Sequence, residues 1–92
     1  MDTPPELNPF YDDDGRLRQW PARRRLQLVA LAWLAKHFEP KREYAEPEVN
    51  ELLEDLHSFA DAAMLRRALF DHRFLDRERD GSRYRRREPP PA

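Results

Sequence analysis

The chain contains no cysteine, which excludes disulfide bonds and thiolate metal sites. It has only two glycines, and neither belongs to a phosphate-binding loop or to a glycine-flanked nucleophile turn. No apolar run approaches the length of a membrane span, and no charged-then-apolar signal segment begins the sequence. We therefore expect a cytoplasmic protein without membrane association.

The three histidines do not suggest catalysis. His37, His57 and His72 fall at the ends of three different predicted helices, where an imidazole usually pairs with the helix dipole or caps the last turn. No spacing of histidines and carboxylates is typical of a metal site. The sequence predicts that the protein is not an enzyme and that it holds neither cofactor nor metal.

Charged residues make up 38% of the 92 residues, and the nine prolines lie mostly near the two ends. Such composition predicts disordered tails over residues 1–9 and 88–92. Residues 10–87 then form one small domain, of which residues 10–21 are an N-terminal extended arm.

Hydrophobic periodicity places helices at residues 22–37, 46–57 and about 61–72. Residues 42–44 are a short extended link, and Ser58 or Asp61 is the expected cap of the third helix. Residues 75–78 and 82–86 form a hairpin around the turn 79–81. The order of helix, strand, helix, helix, strand and strand is that of an α+β winged-helix domain.

The charge distribution favours a nucleic-acid partner for the C-terminal third. Residues 61–92 hold nine arginines and six carboxylates, a balance of +3, although the whole chain has a net charge of −1. In the winged-helix arrangement Arg66 and Arg67 on the third helix point to solvent and contact base edges or phosphates of double-stranded DNA. The wing contributes backbone contacts from Arg79, Arg83 and Arg85.

A protein-interaction or dimerisation module without DNA binding is the alternative. The first helix is apolar on two faces, which is typical of a central or interfacial helix. Trp33, Phe38 and Tyr44 are expected in the core.

A homodimer is also expected if the protein binds DNA, because one domain of this size buries little surface on DNA. The dimer interface would use the arm residues Phe10, Tyr11, Leu17 and Trp20.

Several short phrases follow one another along the chain: Gly15-Arg16-Leu17, Trp20-Pro21, Phe38-Glu39-Pro40, Arg42-Glu43-Tyr44, Glu48-Val49-Asn50, Leu65-Arg66-Arg67, Phe74-Leu75-Asp76-Arg77 and Asp80-Gly81-Ser82-Arg83-Tyr84. In their order and spacing they resemble a small bacterial family, domain-of-unknown-function family 2087. The resemblance covers about residues 10–86 and implies a winged-helix-like transcriptional regulator. Some family members are fused to a repressor-type DNA-binding domain, and the second domain of such a fusion can serve sensing or dimerisation.

Overall fold

The fold contains one small antiparallel sheet, and the predicted hairpin forms two of its three strands. The computed structural model describes residues 4–91. Strands β1 (Glu43–Ala45), β2 (Leu75–Arg77) and β3 (Arg83–Arg86) lie in the order β1-β3-β2. Side chains alternate between the two faces of a strand, and Tyr44, Leu75 and Tyr84 on the inner face are all buried. In this order β3, the last of the three strands in sequence, is the central one.

Three α-helices complete the core: α2 and α3 pack against the sheet, and α1 packs on α3. Helix α1 spans Arg24–Ala35, α2 spans Glu46–Glu54 and α3 spans Ala62–Asp71. The predicted order of elements and the α+β, winged-helix-like class are confirmed. The core residues of α1 are Ala30, Leu31, Trp33, Leu34 and Ala35, and the predicted core aromatics Trp33, Phe38 and Tyr44 are all buried.

The starts of α2 and α3 follow from local hydrogen bonds. The Glu48 carboxylate accepts the backbone N–H of Ala45 at 2.9 Å, and Pro47 lies in the first turn of α2. At α3 the Oδ1 atom of Asp61 accepts the N–H of Met64 at 3.2 Å. Asp61, one of the two expected caps, thus satisfies a donor that a helix start leaves free.

The C-terminal end of α3 turns sharply into the hairpin. The Arg73 N–H donates to the carbonyl of Phe70 at 3.0 Å, and the Phe74 N–H donates to that of Leu69 at 2.8 Å. These two bonds define a Schellman motif, in which the residue after the cap adopts a left-handed conformation. Arg73 holds that position with a φ of 65°.

The arm is fastened to the turn between α2 and α3. Leu17 donates its N–H to the Leu56 carbonyl at 2.8 Å and accepts the N–H of Ser58 at 2.9 Å. These two bonds form an isolated parallel bridge between Leu17 and His57, and Leu17 also forms an isolated antiparallel bridge with Tyr11. Because Leu17 is fully buried, the arm is an integral part of the domain.

The predicted N-terminal tail needs a correction. Residues Pro5–Phe10 form a 3-10 helix, and Leu7 within it is 0% exposed. A single apolar residue among prolines and polar residues is a weak sequence signal, but its burial fixes the segment on the core. Residues 1–3 of that tail and Ala92 lie outside the described residues. The disorder expected for residues 88–92 stays a prediction, and in the structure Pro90 and Pro91 of this tail line a groove beside α1.

Candidate nucleic-acid interface

Helix α3 and the β2–β3 hairpin are the two walls of an open cleft of about 560 Å³. The helix side supplies Arg66, Arg67, Phe70 and Asp71, and the hairpin side supplies Arg77, Asp80, Gly81 and Tyr84, with Glu46 of α2 at one end. Three arginines and three carboxylates leave this lining electrically balanced. The positive excess lies on the hairpin, with five arginines against three carboxylates between residues 75 and 86.

Arg66 does not point freely into solvent as the sequence suggested. Its side chain is only 18% exposed, and its Nη2 atom lies 2.8 Å from Oε1 of Glu46. Its Nη1 atom also donates to Oδ1 of Asn50 at 2.5 Å. Arg66 therefore joins α3 to α2. The helical wheel of α3 alone gave the wrong environment because both partners belong to another helix.

Arg67 has the orientation that the sequence predicts. Its side chain is 82% exposed, and its Nε atom lies 3.7 Å from Oδ2 of Asp71, one helical turn further on. An exposed pair of this kind contributes little to stability and is readily exchanged for another anion. Arg67 is therefore available to an anionic ligand.

Arg77 belongs to the same cleft, and the sequence reasoning missed it. Its guanidinium carbon lies 4.0 Å above the ring centroid of Phe70, a cation–π contact between the hairpin and α3. The two-residue period of a strand could have identified it, because Leu75 is buried and Arg77 shares its face. The contact fixes the position of the hairpin relative to the helix.

Arg79 and Arg83 flank the hairpin turn. Both are exposed, and neither makes an ion pair within residues 4–91. Between them Asp80 accepts the Ser82 N–H at 2.9 Å and its hydroxyl at 2.6 Å, while Gly81 adopts a φ of 76°. The hydroxyl and amide of Ser82 lower the pKa of Asp80. The turn thus presents two unpaired guanidinium groups beside one ionised carboxylate.

Arg85 lies apart from the other wing arginines. Its Nη2 atom is 2.9 Å from Oε2 of Glu43 on β1. In the sheet register Arg85 is opposite Glu43 on one side and Asp76 on the other. With a carboxylate on each neighbouring strand, Arg85 is compensated within the sheet and is a poor candidate for phosphate binding.

The arm residues predicted as an interface have different environments. Phe10, Tyr11 and Trp20 are only partly buried, but Leu17 lies wholly in the core and offers no surface to a partner. Tyr11 packs edge-on against Trp33 with 5.0 Å between ring centroids, and burial raises its pKa. The homodimer stays a prediction.

The acidic turn of the arm does not cover the basic helix in the part of the chain that the structure describes. No ion pair there joins residues 12–14 to Arg66 or Arg67. The Asp12 carboxylate instead accepts the N–H groups of Asp14 and Arg16, each at 2.9 Å.

His57 has a structural environment. It is 3% exposed, its Nδ1 atom lies 2.6 Å from the Leu53 carbonyl, and its Nε2 atom accepts the Asp61 N–H at 2.9 Å. The ring is therefore the neutral Nδ1–H tautomer, and it joins the end of α2 to the cap of α3. Residues 4–91 contain no cluster of three or more metal-ligating side chains.

Comparison with known proteins identifies the family and no nearer relative. No curated protein and no solved structure matches the chain. Among the helices formed by residues 4–91, none has the length and apolar character needed to cross a membrane. Residues 16–86, which include every strand and all three α-helices, match the model of a family described as an uncharacterized protein conserved in bacteria. The chain therefore belongs to domain-of-unknown-function family 2087.

Proposed function

We propose that this protein binds double-stranded DNA and acts as a transcriptional regulator. The observation that carries the proposal is the pairing of an exposed helix with an arginine-bearing hairpin across one cleft. Arg67 and Arg77 line the cleft, and Arg79 and Arg83 lie at the hairpin turn beside it. A winged-helix module needs these two surfaces, a helix for the groove and a wing for the backbone.

The environments of the arginines assign them different tasks. Arg67 is the one guanidinium on the outward face of α3 that can reach a base edge or a phosphate. Arg77, Arg79 and Arg83 would contact backbone phosphates, which position the protein without reading sequence. Arg66 and Arg85 are occupied by carboxylates, and we assign them no DNA contact.

The proposed contact set implies strong salt dependence. Each phosphate that a cation neutralises releases condensed counterions, which changes the slope of log K against log salt by about −0.9. Four arginines predict a slope between about −3 and −4. The net charge of −1 supplies no long-range attraction to DNA, so we expect binding to be weak at physiological salt.

Fluorescence anisotropy with a labelled random-sequence duplex, titrated between about 50 and 200 mM salt, tests the proposal. We expect Arg67→Ala to reduce the magnitude of the salt slope by about 1, and Arg79→Ala/Arg83→Ala to reduce it by about 2. The matched control is Arg23→Ala/Arg24→Ala, which removes two exposed arginines at the start of α1. The control variant should keep the wild-type slope.

Two results would contradict the proposal. One is the absence of saturable binding by the folded wild-type protein at the lowest salt. The other is an equal loss in the α1 control and the wing variant, since this would mean that the cleft has no special part in binding.

A further inference from the structure

Helix α1 presents a second surface that the proposed DNA site does not use. Arg25, Leu28, Val29, Ala32 and Lys36 lie on one face, because each is three or four residues from another member of the set. Leu28, Val29 and Ala32 are only partly buried, whereas the opposite face carries the core residues of the helix. This face is an apolar stripe with one cation at each end.

The stripe forms one wall of a shallow groove. Phe74 and Pro91 line the other side of the groove, with a cavity of about 390 Å³ at the Arg25 end and about 200 Å³ at the Lys36 end. Ala32, Phe74 and Pro91 line both cavities, so the two are adjacent along α1. The groove runs along about three turns of α1.

The titratable side chains that line the groove are all basic residues. They are Arg25, Lys36, His72, Arg86 and Arg87. Arg86 and Arg87 are paired, at 2.9 Å with Glu88 and at 3.2 Å with Asp76. Arg25 is 72% exposed and lies 3.8 Å from Glu6, and Lys36 makes no ion pair within residues 4–91. The available cations are therefore Arg25 and Lys36, separated by about 16 Å along the helix.

We propose that this groove binds an acidic amphipathic helix of a partner protein. The apolar side chains of that helix would pack on Leu28, Val29 and Ala32, and its carboxylates would pair with Arg25 and Lys36. A helix bound in a groove contacts it through side chains at positions i, i+3, i+4 and i+7. Complementary charges at both ends fix the register of the partner.

A second copy of the chain fits this face poorly. If two α1 helices packed antiparallel, Arg25 of each would meet Lys36 of the other, and parallel packing would bring like residues together. Both arrangements place cation against cation, because the groove lining has no carboxylate and the nearby Glu6, Asp76 and Glu88 are already paired with arginines of the same copy. An anionic membrane surface also fits less well, because the apolar residues line a concave groove and do not form a protruding edge.

The test uses full-length protein labelled with ¹⁵N and a synthetic alanine-rich helical peptide as the probe. The peptide carries a stripe of leucines between two glutamates that have the same helical spacing as Arg25 and Lys36. We expect saturable binding, with amide shifts concentrated on residues 25–36 and at Phe74. A matched peptide with lysines in place of the glutamates should bind roughly tenfold more weakly.

Charge reversal gives the sharper result. Arg25→Glu/Lys36→Glu changes two exposed side chains outside the core, and it should exchange the preference so that the lysine peptide binds better. As the control, Arg79→Glu/Arg83→Glu on the hairpin should keep the preference for the glutamate peptide. The proposal fails if both peptides bind equally, if the shifts map elsewhere, or if the folded protein binds neither. It also fails if sedimentation shows a dimer that Val29→Glu dissociates, or if the protein binds anionic vesicles through this face.

Discussion

Arg66 and Arg67 are adjacent in sequence and have different surroundings in the fold. Arg66 lies between α2 and α3, with Glu46 at 2.8 Å and Asn50 as a second acceptor. Arg67 lies on the outer surface with a single partner at 3.7 Å. Hydrogen bonds between a charged group and its partners are stronger when water is partly excluded, and the removal of one partner leaves the others unsatisfied.

We therefore expect effects of different size from the same substitution at the two positions. Arg66→Ala should lower the free energy of unfolding by about 1–3 kcal/mol, whereas Arg67→Ala should change it by less than about 0.5 kcal/mol. Urea unfolding of both variants measures this. Equal stability of the two variants would mean that Arg66 does not join the helices.

For single residues, the sequence predicts which side chains are buried better than it predicts which charged side chains pair with one another. The burial of Trp33, Phe38 and Tyr44 follows from their size and apolar character, and the structure confirms it. The pairing of Arg66 with Glu46 and of Arg85 with Glu43 spans 20 and 42 positions, and no local period indicates such pairs. Identifying which arginines remain free requires the fold.

At the scale of elements, the C-terminal end of α3 shows a local conflict between residue and conformation. Arg73 has a φ of 65°, in the left-handed region where a Cβ atom is costly and glycine is favoured. The Schellman hydrogen bonds and the burial of the following residues, Phe74 and Leu75, hold it there.

Arg73→Gly should raise the free energy of unfolding by about 1 kcal/mol, because it removes the strain of the left-handed conformation. Arg73→Ala is the matched control: it removes the same charge and keeps the Cβ atom, so it should give no such gain. Thermal and urea unfolding measure both. A gain of the same size in the alanine variant would assign the effect to charge.

The stability of the turn at residues 12–16 depends on pH through the Asp12 carboxylate. The backbone hydrogen bond from Arg16 is the main cause that lowers the pKa of Asp12 below its ordinary value of 3.8, and the backbone N–H of Asp14 and the side chain of Ser58 contribute. A carboxyl group whose pKa is lower in the folded state stabilises that state above its unfolded pKa. The contribution is lost as pH falls through the folded value.

Asp12→Asn should therefore weaken the acid dependence of stability. Wild type should lose more unfolding free energy than the variant as the pH is lowered from about 4, and the two should run parallel above that range. Urea unfolding across a pH series measures the difference. Asp13→Asn removes an equal charge from an exposed neighbour and should retain the wild-type profile.

The elements themselves are largely predictable from the sequence. Periodicity and capping residues placed α1, α2 and α3 within a few positions of their observed bounds, and Asp80-Gly81 marked the hairpin turn. The position of β3 between β1 and β2 was not predictable, because it depends on pairing across 42 positions. The strand period could have placed Arg77 on the face of Leu75, but its contact with Phe70 exists only when the hairpin folds back on α3.

At the scale of the molecule, the boundary of the domain lies further toward the N-terminus than composition suggests. Leu7 is fully buried in a segment that contains three prolines within residues 4–9. Leu7→Ala should lower the free energy of unfolding by about 2–4 kcal/mol, because it leaves a cavity in the core. The neighbouring Glu6→Ala should cost much less. If Leu7→Ala has no effect, the segment does not contribute to the core.

The position of β3 also orders events during synthesis. β1 is made well before β3 and β2 only shortly before it, and within residues 4–91 neither has a strand neighbour until β3 supplies the hydrogen bonds for both. The sheet therefore cannot form on a growing chain until residues 83–86 have left the ribosome. Until then Tyr44 and Leu75 cannot take their places on the inner face of the sheet, and the nascent chain exposes apolar groups that chaperones can bind.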